Sequence, residues 1–242
     1  MRLLVISDIH ANLAAFKAVL KDAADEWEQI WCLGDVIGYG PDPDECTQLL
    51  RQYDHISLSG NHDWAVLGKL DITAFNMEAR SAIEWTRRAI SQETRDYLLE
   101  LPPTLLQPPF TLAHASPRQP VWEYILDKGT AAVNFAHFNT TYCLVGHTHS
   151  PVIFEEVDQI RTAVYLPEYG RPRALQGNRL IINPGSVGQP RDSDPRAAYG
   201  LLDTEAMTWE HRRVAYPVEV TQERMRKHAL PYRLISRLEY GW

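Results

Sequence analysis

Five short apolar runs in this chain each lead directly into side chains that can bind a metal ion. The runs are predicted strands at residues 2–6, 29–33, 55–58, 110–114 and 142–145. The polar side chains at or just after their ends are Asp8 and His10, Asp35, Asn61 with His62 and Asp63, His114, and His147 with His149. Because ligands bind outside the carboxyl ends of strands in open α/β sheets, we expect these side chains to converge on one point.

The order of the predicted elements indicates the fold class. Strands alternate with helices up to Pro102, which predicts a parallel sheet. After Pro102 the chain is mainly β, with further strands at 151–157, 160–166, 179–183, 198–203 and 207–215, one helix at about 129–138, and closing helices at 218–228 and 232–239. We therefore predict two sheets packed face to face with helices outside, in a single domain over 1–242 with a helical insertion at about 64–101.

Charge and cysteine content exclude several classes of protein. A net charge of -7 argues against a broad basic surface for nucleic acid. The three cysteines are widely spaced and form no CxxC pair, so neither a disulfide framework nor a cysteine-based zinc site is expected. The apolar N-terminal stretch is too short for a signal peptide or a membrane span, which predicts a cytoplasmic protein without a membrane partner.

The residue types of the set favour two transition-metal ions. Imidazole and carboxylate together suit Mn, Fe, Co, Ni or Zn better than Ca or Mg. The candidates are too numerous for one tetrahedral ion, and two ions that share a carboxylate fit them better. Taken alone, "DIH" is a weak signal and "GNHD" is also compatible with a simple turn, whereas "GHTH" is the strongest single motif.

In their order along the chain, the blocks "DIH", "GDVIGYG", "GNHD", "AHAS" and "GHTH" resemble those of the calcineurin-like metallophosphoesterases. The later segments "INPGSVGQPRD" and "DPRAAYGLLD" resemble the small bacterial branch with phosphodiesterases and diadenosine-polyphosphate hydrolases. The resemblance implies an α/β fold, specifically a four-layer αββα sandwich of two mixed sheets flanked by helices. It also implies a dinuclear metal site.

Carried over by position, the resemblance assigns roles to these side chains. The first metal would be held by Asp8, His10, Asp35 and His149, and the second by Asp35, Asn61, His114 and His147. Asp35 would bridge the ions, for which manganese is the first expectation. A hydroxide between the ions would attack phosphorus in line. His62 would lie near the leaving oxygen, where it would protonate that oxygen or stabilise its charge.

One motif departs from the family pattern. Protein phosphatases carry "GDxxDRG", whereas this chain has "GDVIGYG", so Gly38 and Tyr39 replace the aspartate that orients the catalytic histidine and the arginine that holds phosphate. Asp63 is the candidate partner for His62. Arg191 and Tyr39 are the candidate substrate-binding residues, although Arg191 is equally compatible with a simple surface position.

These features predict a hydrolase for a phosphodiester or a nucleotide phosphoanhydride. Aromatic and arginine side chains in 64–101, in 116–128 and in "YLPEYGRPR" would suit the base and phosphates of a nucleotide, although single aromatics at helical spacing are more often core residues. A phosphomonoesterase or protein phosphatase is the alternative. A non-catalytic scaffold is less expected, because every ligand position is filled. Substrate, native metals and oligomeric state stay open.

Overall fold

The computed structural model of this protein describes residues 1–158 and 161–242. In that part of the chain, the strands are β1 (Arg2–Ile6), β2 (Gln29–Cys32), β3 (His55–Ser57), β4 (Thr104–Gln107), β5 (Phe110–Ala113), β6 (Tyr142–Leu144), β7 (Val152–Glu156), β8 (Thr162–Tyr165), β9 (Arg173–Ala174), β10 (Leu180–Asn183), β11 (Ala197–Asp203) and β12 (Thr208–Val214). The α-helices are α1 (Leu13–Asp22), α2 (Pro43–Leu50), α3 (Asn61–Leu67), α4 (Met77–Ala89), α5 (Gln92–Glu100), α6 (Lys128–Asn134), α7 (Val218–Lys227) and α8 (Tyr232–Tyr240).

The strands form two mixed sheets of six strands each. The first sheet has the order β3-β2-β1-β11-β12-β9, and the second has the order β4-β5-β6-β10-β7-β8. In the first sheet β1, β2 and β3 run parallel, while β11 pairs with β1 in the antiparallel direction. In the second sheet β5, β6 and β10 run parallel. The predicted fold class is therefore confirmed.

Alternation along β1 shows why the sheets stack. Leu3 and Val5 face the second sheet, where they join a buried cluster with Phe110 of β5. Leu4 and Ile6 point the other way and pack in a second cluster, formed largely with the helices on that side. Because successive side chains of a strand point to opposite faces, a strand that is apolar at every position must be covered on both faces.

The fourth layer covers the outer face of the second sheet. Cys143 of β6 and Phe154 of β7 are buried there against Phe135, which directly follows α6. Together with the helices over the first sheet, α6 completes the order helix, sheet, sheet, helix. The expected αββα arrangement is thus present.

Side-chain caps set several helix starts. Asn12 is the N-cap of α1, and its side chain accepts a hydrogen bond from the backbone N–H of Ala15 at 3.2 Å. Asn76 and Ser91 cap α4 and α5 in the same way. These caps divide the predicted helical stretch 64–101 into α4 and α5, preceded by α3 and a short 3-10 turn at Ile72–Ala74.

Two strands were missed by the sequence patterns. β4 is half-buried, and its Leu106 is largely exposed, so it lacks the apolar alternation of a buried strand. β9 has only two residues and pairs with β12 at the edge of the first sheet. The strand predicted at 160–166 is observed as β8, and its first predicted residue lies outside the described residues.

The sheet directions bring five strand ends to one place. Asp8, Asp35 and Asn61 follow the carboxyl ends of the parallel strands β1, β2 and β3. His114 and His147 follow the carboxyl ends of β5 and β6 in the other sheet. In the part of the chain that the structure describes, no helix is both long and apolar enough to cross a membrane.

A buried histidine joins the two sheets at the carboxyl end of β10. His211 of β12 accepts a hydrogen bond at Nδ1 from the indole N–H of Trp209 at 3.1 Å. Its Nε2 therefore carries the hydrogen and donates to the carbonyl oxygen of Asn183 in β10 at 2.8 Å. Burial lowers the pKa of His211 from 6.5 to about 4, so the native protein holds the neutral ring.

This depressed pKa predicts a pH-dependent stability. Between pH 6.5 and pH 4 the unfolded chain binds a proton at His211 that the folded chain does not, so stability falls as pH falls through this window. Lowering the pH from 7 to 5 should cost about 1–2 kcal/mol through this residue. His211→Gln should remove that component from urea unfolding measured at both pH values.

The exposed His137 provides the matched control, because His137→Gln leaves the buried ring in place. This control should keep the wild-type difference between pH 7 and pH 5. An unchanged difference in His211→Gln would show that the buried ring does not titrate in this way.

Candidate metal centre

All seven predicted metal ligands lie together and are almost completely buried. Asp8, His10 and His149 form one group, in which one potential ligand atom from each residue lies within 4.8 Å of the others. A second group meets the same limit and contains Asp35, His114 and His147. The seventh residue, Asn61, places its Oδ1 3.2 Å from Nε2 of His114.

Backbone carbonyl groups orient three of the histidines. Nδ1 of His10, His114 and His149 lies 3.3, 2.8 and 2.5 Å from the carbonyl oxygens of Ile37, Leu33 and Gln189, respectively. A carbonyl oxygen can only accept, so each Nδ1 carries the hydrogen. In the neutral ring, each Nε2 is then a bare lone pair directed into the centre, which is the usual arrangement of a metal-binding histidine.

These lone pairs face other acceptors rather than donors. Nε2 of His10 lies 3.1 Å from Nε2 of His149. Nε2 of His114 faces Oδ2 of Asp35 at 3.4 Å as well as the amide oxygen of Asn61. Lone pairs at these distances repel one another unless a proton or a cation lies between them. The donor set therefore fits metal ions.

Unpartnered atoms give the same indication. Among the described residues, Oδ1 of Asp8, Oδ2 of Asp35 and Nε2 of His147 are buried and have no hydrogen-bond partner. Buried polar atoms are normally hydrogen-bonded, because desolvating them without a partner is costly. Metal ions bound to these three atoms would explain why all three are buried in one place without a hydrogen-bond partner.

Asp35 lies between the two groups. Its Oδ1 accepts a hydrogen bond from the backbone N–H of His62 at 2.9 Å. Its Oδ2 lies 3.7 Å from Nε2 of His10 in the first group and 3.4 Å from Nε2 of His114 in the second. One carboxylate oxygen is therefore within reach of both groups.

Five of the seven residues have a left-handed backbone. Asp8, His10, Asp35, His147 and His149 all have φ between 48° and 64°. This region is sparsely populated by residues other than glycine and is strained for them, and such residues cluster at functional sites. The strain is held by cross-strand contacts, such as the N–H of Asp8 donating to the Gly34 carbonyl at 3.0 Å.

The electrostatics of the site favour the charge states that bind cations. Burial opposes ionisation of Asp8 and Asp35, but the neighbouring His149 and His114 outweigh it and keep both pKa values below the ordinary range. Burial lowers the pKa of His147 to about 3.

The other imidazoles divide into two cases. Burial lowers the pKa of both His10 and His149. Burial also acts to lower the pKa of His114, but the charge of Asp35 outweighs it and raises that pKa to about 9. At neutral pH the site thus holds two carboxylates and mainly neutral imidazoles, and binding of a cation at His114 would release a proton.

His62 lies beside the two groups without belonging to either. Its ring centroid is 4.2 Å from that of Tyr39, 4.9 Å from His10 and 5.3 Å from Phe75. Burial lowers its pKa to about 4, so the ring is neutral at physiological pH. Its Nδ1 is buried and has no hydrogen-bond partner among the described residues.

The pairing of Asp63 with His62 expected from the sequence is not formed. The Asp63 carboxylate accepts hydrogen bonds from the backbone N–H groups of Asp35, Ile37 and Gly60 at 2.9, 3.2 and 2.8 Å. Adjacent side chains point in different directions here, and Asp63 instead fixes the loop that carries Asp35. Burial, together with the charge of Asp35, raises its pKa to about 7.

Position 38 is the one that faces His62. A Cβ atom at Gly38 would lie 2.8 Å from Nδ1 of His62, and the φ of +94° at this residue favours glycine. The resemblance places an orienting aspartate here in protein phosphatases. The structure therefore explains why the departure leaves Nδ1 of His62 without a partner.

Both predicted substrate-binding residues lie at the edge of the first group. Arg191 donates through Nη2 to Oε1 of Gln189 at 2.9 Å and to the Tyr39 hydroxyl at 3.4 Å, while its buried Nε has no partner. Among the described residues, no carboxylate lies within 4.0 Å of this guanidinium. Gln189 also orients His149 through its backbone carbonyl group, a role that no side-chain pattern in the sequence could have indicated.

The segment "NPGSVGQPR" supports two of the loops that form the site. The side chain of Asn183 donates to the Gly146 carbonyl at 2.8 Å and to the Thr148 hydroxyl at 2.9 Å, which holds the "GHTH" turn. The Ser186 hydroxyl donates to the carbonyl oxygen of Asp8 at 2.9 Å. These contacts connect the last ligand loop to the first.

Known proteins share both the sequence and the fold. A model of the calcineurin-like phosphoesterase superfamily domain matches residues 1–207. An uncharacterized protein of Methanocaldococcus jannaschii is 36% identical over 244 residues, covering 98% of this chain and 97% of that protein.

Two crystal structures show the same architecture over the full length. A metallophosphoesterase from Sphaerobacter thermophilus is 45% identical, with a TM-score of 0.92 over 100% of this chain and 99% of that chain. A hypothetical protein from Pyrococcus horikoshii is 20% identical and shares the fold with a TM-score of 0.80 over 100% and 98% of the two chains. The chain belongs to the calcineurin-like phosphoesterase superfamily, whose members are metal-dependent phosphoric ester hydrolases.

Proposed function

We propose that this protein hydrolyses a phosphodiester or a nucleotide phosphoanhydride at a pair of divalent metal ions. The observation that carries this proposal is the unpartnered Oδ2 of Asp35, which lies between Nε2 of His10 and Nε2 of His114. An oxygen shared by two ligand groups is the arrangement expected of a carboxylate that bridges two ions.

The ligand atoms divide between the two ions. Asp8, His10, Asp35 and His149 would hold one ion, and Asp35, Asn61, His114 and His147 would hold the other. Nitrogen and oxygen donors without thiolate suit Mn, Fe, Co, Ni or Zn, and manganese is our first choice. When bound, such ions lower the pKa of water and neutralise charge on phosphoryl oxygens.

The remaining polar groups would hold and orient the substrate. Arg191 has a free Nε and no carboxylate partner among the described residues, so it is available for a non-bridging phosphoryl oxygen. The Tyr39 hydroxyl, which contacts Arg191, would add a second donor. These two residues take the place of the phosphate-holding arginine that "GDVIGYG" lacks.

His62 would act on the leaving oxygen. Its low pKa means that the neutral ring predominates, and a neutral imidazole still has one N–H to donate. We therefore favour stabilisation of the developing negative charge by a hydrogen bond over full proton transfer. Tyr39 and Phe75 pack on the ring and would restrict its orientation.

The glycine at position 38 indicates the substrate class. Glycine there leaves His62 without the orienting carboxylate that the resemblance assigns to protein phosphatases. This difference favours a diester or a nucleotide over a phosphoprotein. A phosphomonoesterase is the alternative function, and a direct comparison of substrates distinguishes it from the proposed one.

The substrate preference tests this proposal directly. With Mn²⁺ bound, kcat/KM should be higher for bis-p-nitrophenyl phosphate or a dinucleoside polyphosphate than for p-nitrophenyl phosphate or a phosphopeptide. Chelation should abolish turnover, and added Mn²⁺ should restore it. A clear preference for the phosphopeptide would overturn the proposal, and a preference for the monoester would favour the alternative.

Asp35→Asn should weaken both metal sites together, because one carboxylate serves both groups. We expect the metal content measured by mass spectrometry to fall from about two ions per chain to nearly none. Asp8→Asn is the matched comparison, since Asp8 belongs to one group only, and it should lose about one ion. An Asp35→Asn protein that keeps one ion at wild-type affinity would exclude the bridge.

His62→Ala should retain both ions and lose most turnover, because the ring lies beside the ligand groups rather than within them. A fall in kcat of about 10²–10⁴-fold is expected. His55→Ala removes a histidine at the opposite end of β3 and should leave both properties unchanged. Loss of metal in His62→Ala would show that the role assigned to this ring is wrong.

A further inference from the structure

The loop 116–127 begins two residues after His114 and is held in place by an inward-facing carboxylate. Glu123 accepts hydrogen bonds from the Ser116 hydroxyl at 2.7 Å and from the Asn134 side chain of α6 at 2.8 Å, and it forms an ion pair with Arg118. Its side chain is only 11% exposed. Arg118, one of the arginines that the sequence suggested for phosphate binding, is therefore occupied within the loop.

Further hydrogen bonds fix the backbone of this loop. The N–H of Ala115 donates to the Pro120 carbonyl at 2.7 Å, and the N–H of Trp122 donates to the Gln119 carbonyl at 3.2 Å. Ile125 is buried against the outer face of the second sheet. A loop anchored in this way presents its outward side chains in one arrangement, which lowers the entropy cost of binding.

Two aromatic side chains point outward on either side of Glu123. Trp122 is 39% exposed and Tyr124 is 46% exposed. Phe75 contacts Trp122 with a centroid distance of 5.0 Å and an interplanar angle of 73°. His147 lies 4.0 Å from Tyr124 at an angle of 31°. This tilted contact covers one face of Tyr124, whose side chain still stays nearly half exposed.

These rings border the metal centre on two sides. Phe75 contacts both Trp122 and His62, and its ring centroid is 5.3 Å from that of His62. Only the Phe75 ring therefore separates Trp122 from the side of the centre where the leaving group would lie. Tyr124 contacts His147, a ligand of the second group. The outer rim of the site at this loop is thus aromatic and carries no free cation, since Arg118 is paired with Glu123.

We propose that Trp122 and Tyr124 stack on a planar aromatic group of the substrate, and that this group is a nucleobase. The inference rests on the proposed function, because the metal centre would hold the phosphate while the loop holds the base. Aromatic side chains stack on every base, and a preorganised pair next to a phosphate site distinguishes a nucleotide from a sugar phosphate. Because this loop itself adds no free cation, its aromatic side chains suit a base rather than another phosphate.

Binding of two matched ligands tests this inference without turnover. The ligands are the phosphonate analogues of AMP and of ribose 5-phosphate, in which a carbon atom replaces the ester oxygen and prevents hydrolysis. Calorimetric titration of the Mn²⁺-loaded protein should show that the analogue with the base binds at least about tenfold more tightly. Phenylphosphonate and methylphosphonate form a second pair, which shows whether any aromatic ring suffices.

Substitutions in the loop should remove this preference. Trp122→Ala and Tyr124→Ala should each reduce the ratio of the two affinities by about fivefold or more, and the double variant should bring it close to one. Affinity for the ribose analogue and the metal content should stay near wild type in both. Trp122→Phe should keep most of the preference. Tyr53→Ala, which removes a similarly exposed tyrosine before β3, should keep all of it.

The outcomes separate this inference from the proposed function. Equal affinity of the wild type for both analogues, or a preference that survives in the double variant, overturns the stacking role while leaving the metal centre unaffected. Failure of both analogues to bind overturns the stacking role, whereas the proposed function is decided separately by turnover of the diester substrates. An advantage of phenylphosphonate without an advantage of the AMP analogue would replace the nucleobase with an aryl ester.

Discussion

Lone pairs that face one another in a dry site are the constraint on which the rest of this structure depends. Nε2 of His10 and Nε2 of His149 lie 3.1 Å apart, and both Nδ1 atoms already donate to carbonyl oxygens. Rotation of either ring would remove this repulsion, but it would also break the hydrogen bond from that ring's Nδ1 to a carbonyl oxygen. A proton or a cation between the two nitrogens would relieve this repulsion, and because burial lowers the pKa of both rings, a metal ion is the cation that the site favours.

That support comes from both sheets and from the backbone rather than from one motif. Asp8 and Asp35 leave strands of the first sheet, His114 and His147 leave strands of the second, and Asn183 fastens the last of these loops. Five of the candidate ligands have a left-handed backbone, and they lie in the loops that follow β1, β2 and β6. Because the sheets pack through a continuous apolar layer, the loops keep their positions relative to one another.

Much of the fold followed from local patterns, and the failures have local causes. β1 and β6 are short apolar runs with polar ends, and they were predicted within a residue or two. β4 was missed because an edge strand buries only part of its side chains, and its stabilising partners lie in β5. Asp63 was assigned to His62 from adjacency alone, whereas its partners are backbone N–H groups up to 28 residues away.

The sequence by itself determined which side chains reach the centre, since each candidate ligand lies within a few residues of the end of an apolar strand and strand direction sets where it emerges. Only the tertiary structure decided how they meet: which imidazole faces which, that Asp35 lies between the groups, and that Gly38 rather than Asp63 faces His62. It also decided that Trp122 and Tyr124 flank the centre. These relations join residues far apart in the chain, and only the packing of the two sheets sets their distances.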